Sequence, residues 1–183
     1  MKTLTFFMMI TANGFYERGA WEIDWHNTDE EFNDFAIEQL DRMDTLVFGR
    51  KTYEGMLAYW PTPEAIAGDP IVAGKMNGLA KIVVSRTLER AEWSNTRLVR
   101  DIDAIDALKR EAGKDALLIG SSDLAASLAA RGLIDEYRLM VNPVALVSGK
   151  PVFQGLGADL RLRLVGTRPF ENGNVLLSYA PAG

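Results

Sequence analysis

Three short runs in this 183-residue chain combine glycine, hydroxyl and cationic residues as an anion site needs them. The first is Gly49-Arg50-Lys51-Thr52-Tyr53-Glu54, where the apolar run Thr45 to Phe48 gives way to a helical pattern. Gly49 lets a ligand approach the backbone closely, Arg50 and Lys51 bring two positive charges, and Thr52 can cap the helix or bind a phosphate oxygen. The second is Ile119-Gly120-Ser121-Ser122-Asp123-Leu124. There a glycine and two hydroxyls follow a buried strand and suit a pyrophosphate, although Ser122 also fits an ordinary N-cap. The third, Ser85-Arg86 after the strand Lys81 to Val84, offers a hydroxyl and a guanidinium to a ribose phosphate. Each run alone can be read as a capped helix start with solvated cations. Three at one sheet edge exceed what capping requires, because ligands of open α/β sheets bind beyond the carboxyl ends of the strands, at helix N-termini.

Several other chemistries are absent from the composition. The chain has no cysteine and a single histidine, His26. Disulfides, thiolate nucleophiles, Cys-bearing metal sites and multi-histidine centres are thereby excluded, as is the Cys-rich signature of zinc deaminases. A net charge of −5 argues against nucleic-acid and anionic-membrane partners, while a local basic pocket can still hold a small anion. No G-x-G-x-x-G follows a strand. Gly68 to Lys75 approximates a Walker loop but is one residue too long, and Met76 stands where Ser or Thr is required. With 48% hydrophobic and 25% charged residues, the chain reads as one folded domain, residues 1–183.

The elements that must position these runs follow from periodicity. Leu4 to Ile10 is apolar at nearly every position, as in a strand covered on both faces. A strand fits it better than a signal peptide, since Thr11-Ala12-Asn13-Gly14 ends the run without a small-residue cleavage site. No run approaches the ~18 apolar residues of a membrane span, so a cytoplasmic protein without a membrane partner is expected. Phe15 to Asn27, with Trp21 and Trp25 among charges, reads as a long loop. Thr28-Asp29-Glu30-Glu31 fits a capping box with Thr28 as N-cap and Glu31 reaching back to it. Phe32, Phe35, Ala36, Leu40 and Met43 then recur at helical spacing.

A short strand is expected over Thr45 to Phe48 and a helix from Thr52 to Leu57. The prolines and glycines of Ala58 to Leu79 suggest an irregular excursion with one helical turn near Ala73 to Met76. Strands follow at Lys81 to Ser85, Arg97 to Val99 and Ala116 to Ile119, with helices around Ile102 to Leu108 and Leu124 to Leu128. Tyr137, Leu139 and Val141 alternate with Arg138, Met140 and Asn142, as in a half-covered strand. Further strands begin at Leu162 and Asn174. The fold class is therefore α/β, with a mostly parallel central sheet finished by an antiparallel edge.

The runs also carry a resemblance spanning nearly the whole chain. TANG at 11–14, GRKTYE at 49–54, KIVVSRT at 81–87 and IGSSDL at 119–124 resemble, in order and spacing, the dihydrofolate reductase-like superfamily. GLIDEYRLMVNPV at 132–144 and GKPVF at 149–153 resemble, more specifically, the branch of the bacterial riboflavin-biosynthesis reductase domain and its stand-alone relatives. The resemblance implies a three-layer fold with a sheet of about eight strands and an NADPH site. Arg50, Ser85 and Arg86 would surround the 2′-phosphate, Thr52 and the backbone of Gly120, Ser121 and Ser122 the pyrophosphate, and Thr11 and Ala12 the nicotinamide. Gly49, Lys51 and Leu124 complete that cofactor set.

On the substrate side, dihydrofolate reductases place an acid on the first helix with an aromatic one turn later, the spacing of Glu31 and Phe35. Glu31 is thus the candidate catalytic acid as well as the candidate cap, with Glu22, Asp24 and Asp34 as rivals. Trp25, Phe35 and Trp60 are expected to line the substrate pocket, and His26 to be a loop residue with an ordinary hydrogen bond. Two departures stand out: Asn13 replaces the usual Asp of the riboflavin branch, and Ala58 to Ala67 lacks the arginine that grips the folate glutamate tail.

The expected function is NADPH-dependent reduction of a small pterin- or flavin-precursor-like heterocycle. A non-catalytic nucleotide- or pterin-binding protein is the alternative of a different class, and a ligand-free dimeric scaffold is a third. A homodimer is expected because Tyr137 to Val144 is apolar on both faces, more than one covered face needs, and the resembling family often pairs there.

Overall fold

A computed structural model describes residues 1–19 and 22–183. Trp21 of the expected loop lies outside the described residues. Along the chain run β1 (Leu4–Thr11), β2 (Phe15–Glu17), α1 (Glu30–Asp41), β3 (Met43–Gly49), α2 (Arg50–Tyr59), α3 (Pro63–Gly68), α4 (Pro70–Gly78) and β4 (Ala80–Val84). They are followed by β5 (Thr96–Val99), α5 (Asp103–Lys109), β6 (Asp115–Ile119), α6 (Ser122–Ala130), β7 (Glu136–Asn142), β8 (Lys150–Pro151), β9 (Leu162–Pro169) and β10 (Val175–Pro181). Eight strands form one sheet in the order β5-β4-β3-β6-β1-β7-β10-β9. All pairings from β5 to β7 are parallel, and β10 is antiparallel to both β7 and β9.

Strand β1 shows why the sheet needs three layers. All eight of its residues are buried, and successive side chains alternate between the faces. Leu4, Phe6, Met8 and Ile10 join one core with Ile105 and Leu108 of α5 and Ala125 and Leu128 of α6. Phe7 and Met9 join the other with Phe35 and Leu40 of α1, Tyr53 of α2, and Val72 and Met76 of α4. Helices therefore cover both faces.

The sequence expectations need four corrections. Thr28 does not cap α1. Asp29 does, its carboxylate accepting from Phe32 N at 2.9 Å, so Glu31 sits one position too early in the helix to close a box. The proline-rich excursion holds two helices, α3 and α4, because Pro63 and Pro70 stand in their first turns, where no N–H is needed. Thr62 and Asp69 cap them by accepting from Ala65 N and Val72 N. Part of the expected loop is strand β2, paired with β8 and backed by the Lys150–Glu17 ion pair.

The fourth correction concerns β7, which is not half-covered. It lies between β1 and β10, and Met140 is as buried as Tyr137 and Leu139. Its two apolar faces are accounted for within one copy of the chain, which removes the pattern from which a homodimer was expected. Among the described residues, no helix is long and apolar enough to cross a membrane.

Candidate active site

Because β1, β3, β4, β6 and β7 are parallel, their last residues share one edge of the sheet: Thr11, Gly49, Val84, Ile119 and Asn142. Antiparallel β10 begins at that edge, with Val175 opposite Val141. Two of the three sequence runs meet here directly. Gly49 N donates to Ser121 Oγ at 2.9 Å, and Ser121 N donates to Thr52 Oγ1 at 3.1 Å. Gly49 and Ser121 are the N-caps of α2 and α6, and neither helix has a side-chain cap. The first-turn N–H groups of two adjacent helices are left without intrahelical partners, each terminus carrying roughly half a positive charge.

Backbone shape holds this arrangement. Gly120 and Ser121 are both left-handed, at φ 59° and 60°, a conformation that side chains at consecutive positions disfavour. A Cβ on Gly120 would lie 3.1 Å from Thr52 Cγ2, and one on Gly49 would lie 3.4 Å from Ser121 Cβ and 3.6 Å from Leu124 Cβ. The glycines are what let the two junctions touch. Ser122 does not present its hydroxyl to this edge: the group is buried and donates to Val152 O at 2.7 Å. Only its backbone remains for a ligand.

The third run supplies charge. Arg50 reaches across to it, its Nη1 donating to Thr87 Oγ1 at 2.8 Å and its Nε to Glu54 Oε1 at 2.8 Å. Ser85 is buried, and its Oγ accepts from Thr87 N at 3.2 Å and Leu88 N at 2.9 Å, so it shapes the turn. Arg100 braces the same turn by donating to Ser85 O and Leu88 O. Lys51 and Arg86 are exposed and have no ion-pair partner among the described residues. Thr87 and Arg100 were missed in the sequence. The hydroxyl directly after Arg86 was a legible signal for the first, whereas nothing local marked the second.

The other half of the edge is built differently. Thr11 is fully buried, and its hydroxyl donates to Asn13 Oδ1 at 2.8 Å, while the exposed Ala12 is tied through its N–H to Val144 O at 2.8 Å. Asn13 gives its amide N–H to Leu146 O at 2.8 Å and takes the Leu146 N–H at 3.2 Å. An aspartate could only accept, which explains the amide at this position. The loop entering α1 is pinned by asparagines that sequence reading passed over. Asn27 N donates to Asn142 Oδ1 at 2.8 Å, and Asn174 Nδ2 donates to Asn27 O at 2.7 Å. Asn142 is itself fixed by donating to Ile10 O and Met140 O.

This clasp sets Trp25 beside His26, ring centroids 4.6 Å apart and nearly perpendicular. Burial lowers the His26 pKa to about 4, so the imidazole is neutral near pH 7. The ordinary hydrogen bond expected for it is absent at Nε2, which is buried without a partner among the described residues.

The remaining substrate-side candidates are drawn elsewhere. Glu31 accepts from Glu171 N at 2.9 Å, and Arg168 lies 3.7 Å from its other oxygen, so the carboxylate holds the β9–β10 turn. Phe35 is only 5% exposed and packs against Phe7, Phe32 and Phe170 as a core residue. Trp60 ends α2, which leaves the ligand edge at Gly49 and runs ~15 Å away from it. Its carbonyl accepts from Asn77, at the end of α4 and near the start of β4, which places Trp60 at the opposite edge of the sheet. That distance removes Trp60 from the candidate pocket.

Comparison with known proteins fits this geometry. Over 176 residues, covering 94% of this chain and 91% of its counterpart, the sequence is 31% identical to the uncharacterized protein YyaP of Bacillus subtilis (strain 168). A putative riboflavin biosynthesis protein from Shewanella sp. PV-4 has the same fold, with TM-score 0.74, 21% identity and 99% of both chains covered. So does the dihydrofolate reductase of Enterococcus faecalis, solved in complex with NADP(H), with TM-score 0.68, 18% identity and coverage of 99% of this chain and 97% of that one. The RibD C-terminal domain model matches residues 2–176. With a dihydrofolate reductase-like fold and a match along almost its entire length, this chain belongs to the RibD C-terminal domain family.

Proposed function

We propose that the protein is an NADPH-dependent reductase of a small heterocyclic substrate. The observation that carries this reading is the junction of two uncapped helix N-termini, α2 and α6, beside Lys51 and Arg86, which have no ion-pair partner among the described residues. One cofactor chemistry accounts for both features. A pyrophosphate suits the six first-turn N–H groups, from Arg50 to Thr52 and from Ser122 to Leu124, and a ribose phosphate suits the cations beyond them. The glycine-lined contact at Gly49 and Gly120 leaves the backbone free to approach such a ligand.

In this reading Arg50, Lys51 and Arg86 grip the 2′-phosphate, with Ser85 and Thr87 shaping their turn. Thr11 and Ala12, at the end of the central strand, border the nicotinamide. NADPH, when bound, supplies a hydride to the carbon of a substrate C=N or C=O bond and leaves as NADP⁺, while the heteroatom takes a proton. The chain's part is to orient the two partners and exclude water. Proton delivery falls to water, because the Glu31 carboxylate is engaged by Glu171 N–H and Arg168.

Titration of NADPH and NADH by protein fluorescence tests the reading. Wild type should prefer NADPH, and Arg50→Ala should weaken NADPH by about 10- to 150-fold, the value of a charged hydrogen bond, with NADH little changed. Lys51→Ala should cost less, since its ammonium is a flexible point charge. Equal losses of both cofactors in Arg50→Ala would make the residue structural, and absence of NADPH binding to wild type would end the assignment. Binding without NADPH oxidation by any of a panel of pterins and flavin precursors would favour a non-catalytic binder.

A further inference from the structure

Arg50 is tethered in two directions. Its Nε donates to Glu54 Oε1 one turn along α2, and its Nη1 donates to Thr87 Oγ1 in the turn after β4, both at 2.8 Å. The guanidinium carries donors on all three nitrogens, and Nη2 has no partner among the described residues. The two tethers fix different things. Glu54 lies on the same helix, so its bond sets only how the side chain lies along α2. Thr87 belongs to another element, 37 residues away in sequence, so its bond sets where the guanidinium stands between α2 and the β4–β5 turn.

Thr87 is itself held from behind. The buried Ser85 Oγ accepts the Thr87 N–H at 3.2 Å and the Leu88 N–H at 2.9 Å, and Ser85 N donates to Val99 O at 2.9 Å. Arg100 ties down the far side of the turn by donating to Leu88 O at 2.6 Å. The β-branch of threonine limits χ1, and with it the direction of the hydroxyl oxygen. An exposed hydrogen bond of this kind adds little to folding stability. Its effect falls on binding: an arginine gives up much rotamer freedom when it grips a ligand, and one already held gives up less.

We propose that Thr87 is a positioning residue for the 2′-phosphate of the cofactor. It acts through Arg50, holding the guanidinium between α2 and the β4–β5 turn with Nη2 open to a phosphate oxygen. The inference rests on the reductase reading and deepens it, because it assigns part of the preference for NADPH over NADH to a residue that does not itself grip the phosphate.

A double-mutant cycle tests this, with NADPH and NADH each titrated into the full chain by protein fluorescence. Thr87→Val keeps the shape and the β-branch and removes the accepting oxygen. It should weaken NADPH by about 3- to 10-fold and leave NADH within about 2-fold. Thr87→Ser, which keeps an accepting oxygen, should retain most of the NADPH affinity. In the Arg50→Ala background, Thr87→Val should change NADPH affinity by less than about 2-fold, since the group it acts through is gone. Unchanged NADPH affinity in Thr87→Val overturns the proposal. An equal loss of both cofactors, or a Thr87→Ser no better than Thr87→Val, does the same by making the threonine structural. So does a loss that persists in full without Arg50, because the hydroxyl would then bind the phosphate directly. Wild type is titrated first. Its failure to bind NADPH overturns the reductase reading and this proposal together, whereas a preference for NADPH that Arg50→Ala removes and Thr87→Val does not touch overturns this proposal alone.

Discussion

The two halves of the ligand edge solve opposite electrostatic problems with the same sheet. On the β4–β3–β6 side, helix termini are left without side-chain caps and, among the described residues, Lys51 and Arg86 have no ion-pair partner. On the β1–β7–β10 side, cations are neutralised and asparagines fill the backbone's hydrogen-bonding needs. The first half is unsatisfied in charge and the second in neutral polar atoms. Such local incompleteness inside an otherwise well-satisfied fold is where a ligand can contribute most, since its groups replace water with little loss elsewhere.

The comparison breaks most severely at Asn142. Asn142→Leu removes two donated bonds and one accepted bond in a fully buried setting, stranding Asn27 N–H and the carbonyls of Ile10 and Met140. At roughly 1–3 kcal/mol per stranded group, partly relieved by relaxation, about 3–5 kcal/mol of stability should be lost. Urea denaturation measures this, and a loss below about 1 kcal/mol would show that the clasp does not organise its half.

His26 sharpens the same half through pH. Its folded pKa of about 4 lies below the ordinary 6.5, so between those values the unfolded chain binds more protons. Stability from this group is therefore full above pH 6.5 and declines as pH falls toward 4, by about 3 kcal/mol in total. Comparing wild type with His26→Asn across that window isolates the effect. Parallel stability–pH curves would show that the imidazole titrates as if in water.

The remaining effects are smaller but more selective. Gly120→Ala places a Cβ 3.1 Å from Thr52 and imposes a left-handed alanine, which should cost about 1–2 kcal/mol of stability. It should also weaken NADPH and NADH alike, by about 10-fold for each 1.4 kcal/mol lost at the pyrophosphate contact, in contrast with the selective loss in Arg50→Ala. Glu31→Gln should leave turnover within about 3-fold if water delivers the proton, and a fall of about 100-fold or more would restore Glu31 as the acid. The smallest effect belongs to Glu54→Gln. Its bond to Arg50 is an exposed i,i+4 pair, worth about 0.3–0.5 kcal/mol, so stability should barely change.

The two halves also differ in how far the sequence revealed them. The β4–β3–β6 half was legible because its signals are local: a glycine, a cation and a hydroxyl at the end of an apolar run place themselves once the sheet is parallel. Ser122 was the exception, since nothing nearby announces that Val152 takes its hydroxyl. The β1–β7–β10 half depends on partners far apart in sequence. Asn27 means little until Asn142 and Asn174 arrive beside it, and Glu31 cannot be seen to face Arg168 from the helix pattern alone. Trp60 misled because an aromatic after a helix has no visible end of the sheet. The fold was read correctly as a mostly parallel sheet with an antiparallel edge, and its errors fell at the cap of α1, at the short strand β2, in the covering of β7, and where prolines start helices as well as break them.

The position of β1 between the halves has a kinetic consequence. Leu4 pairs with Ala116 and Thr5 with Glu136, so the most apolar strand finds its neighbours only across most of the chain. During synthesis it emerges well before its neighbours, and it has no β-partner until β6 and β7 have followed. The nascent chain therefore carries an unpaired LTFFMMI segment for as long as it takes to make more than a hundred further residues. Closing such long-range parallel pairings is slow. The strand that best defines the finished molecule is thus its main liability on the ribosome, and the segment that a holding chaperone would be expected to shield.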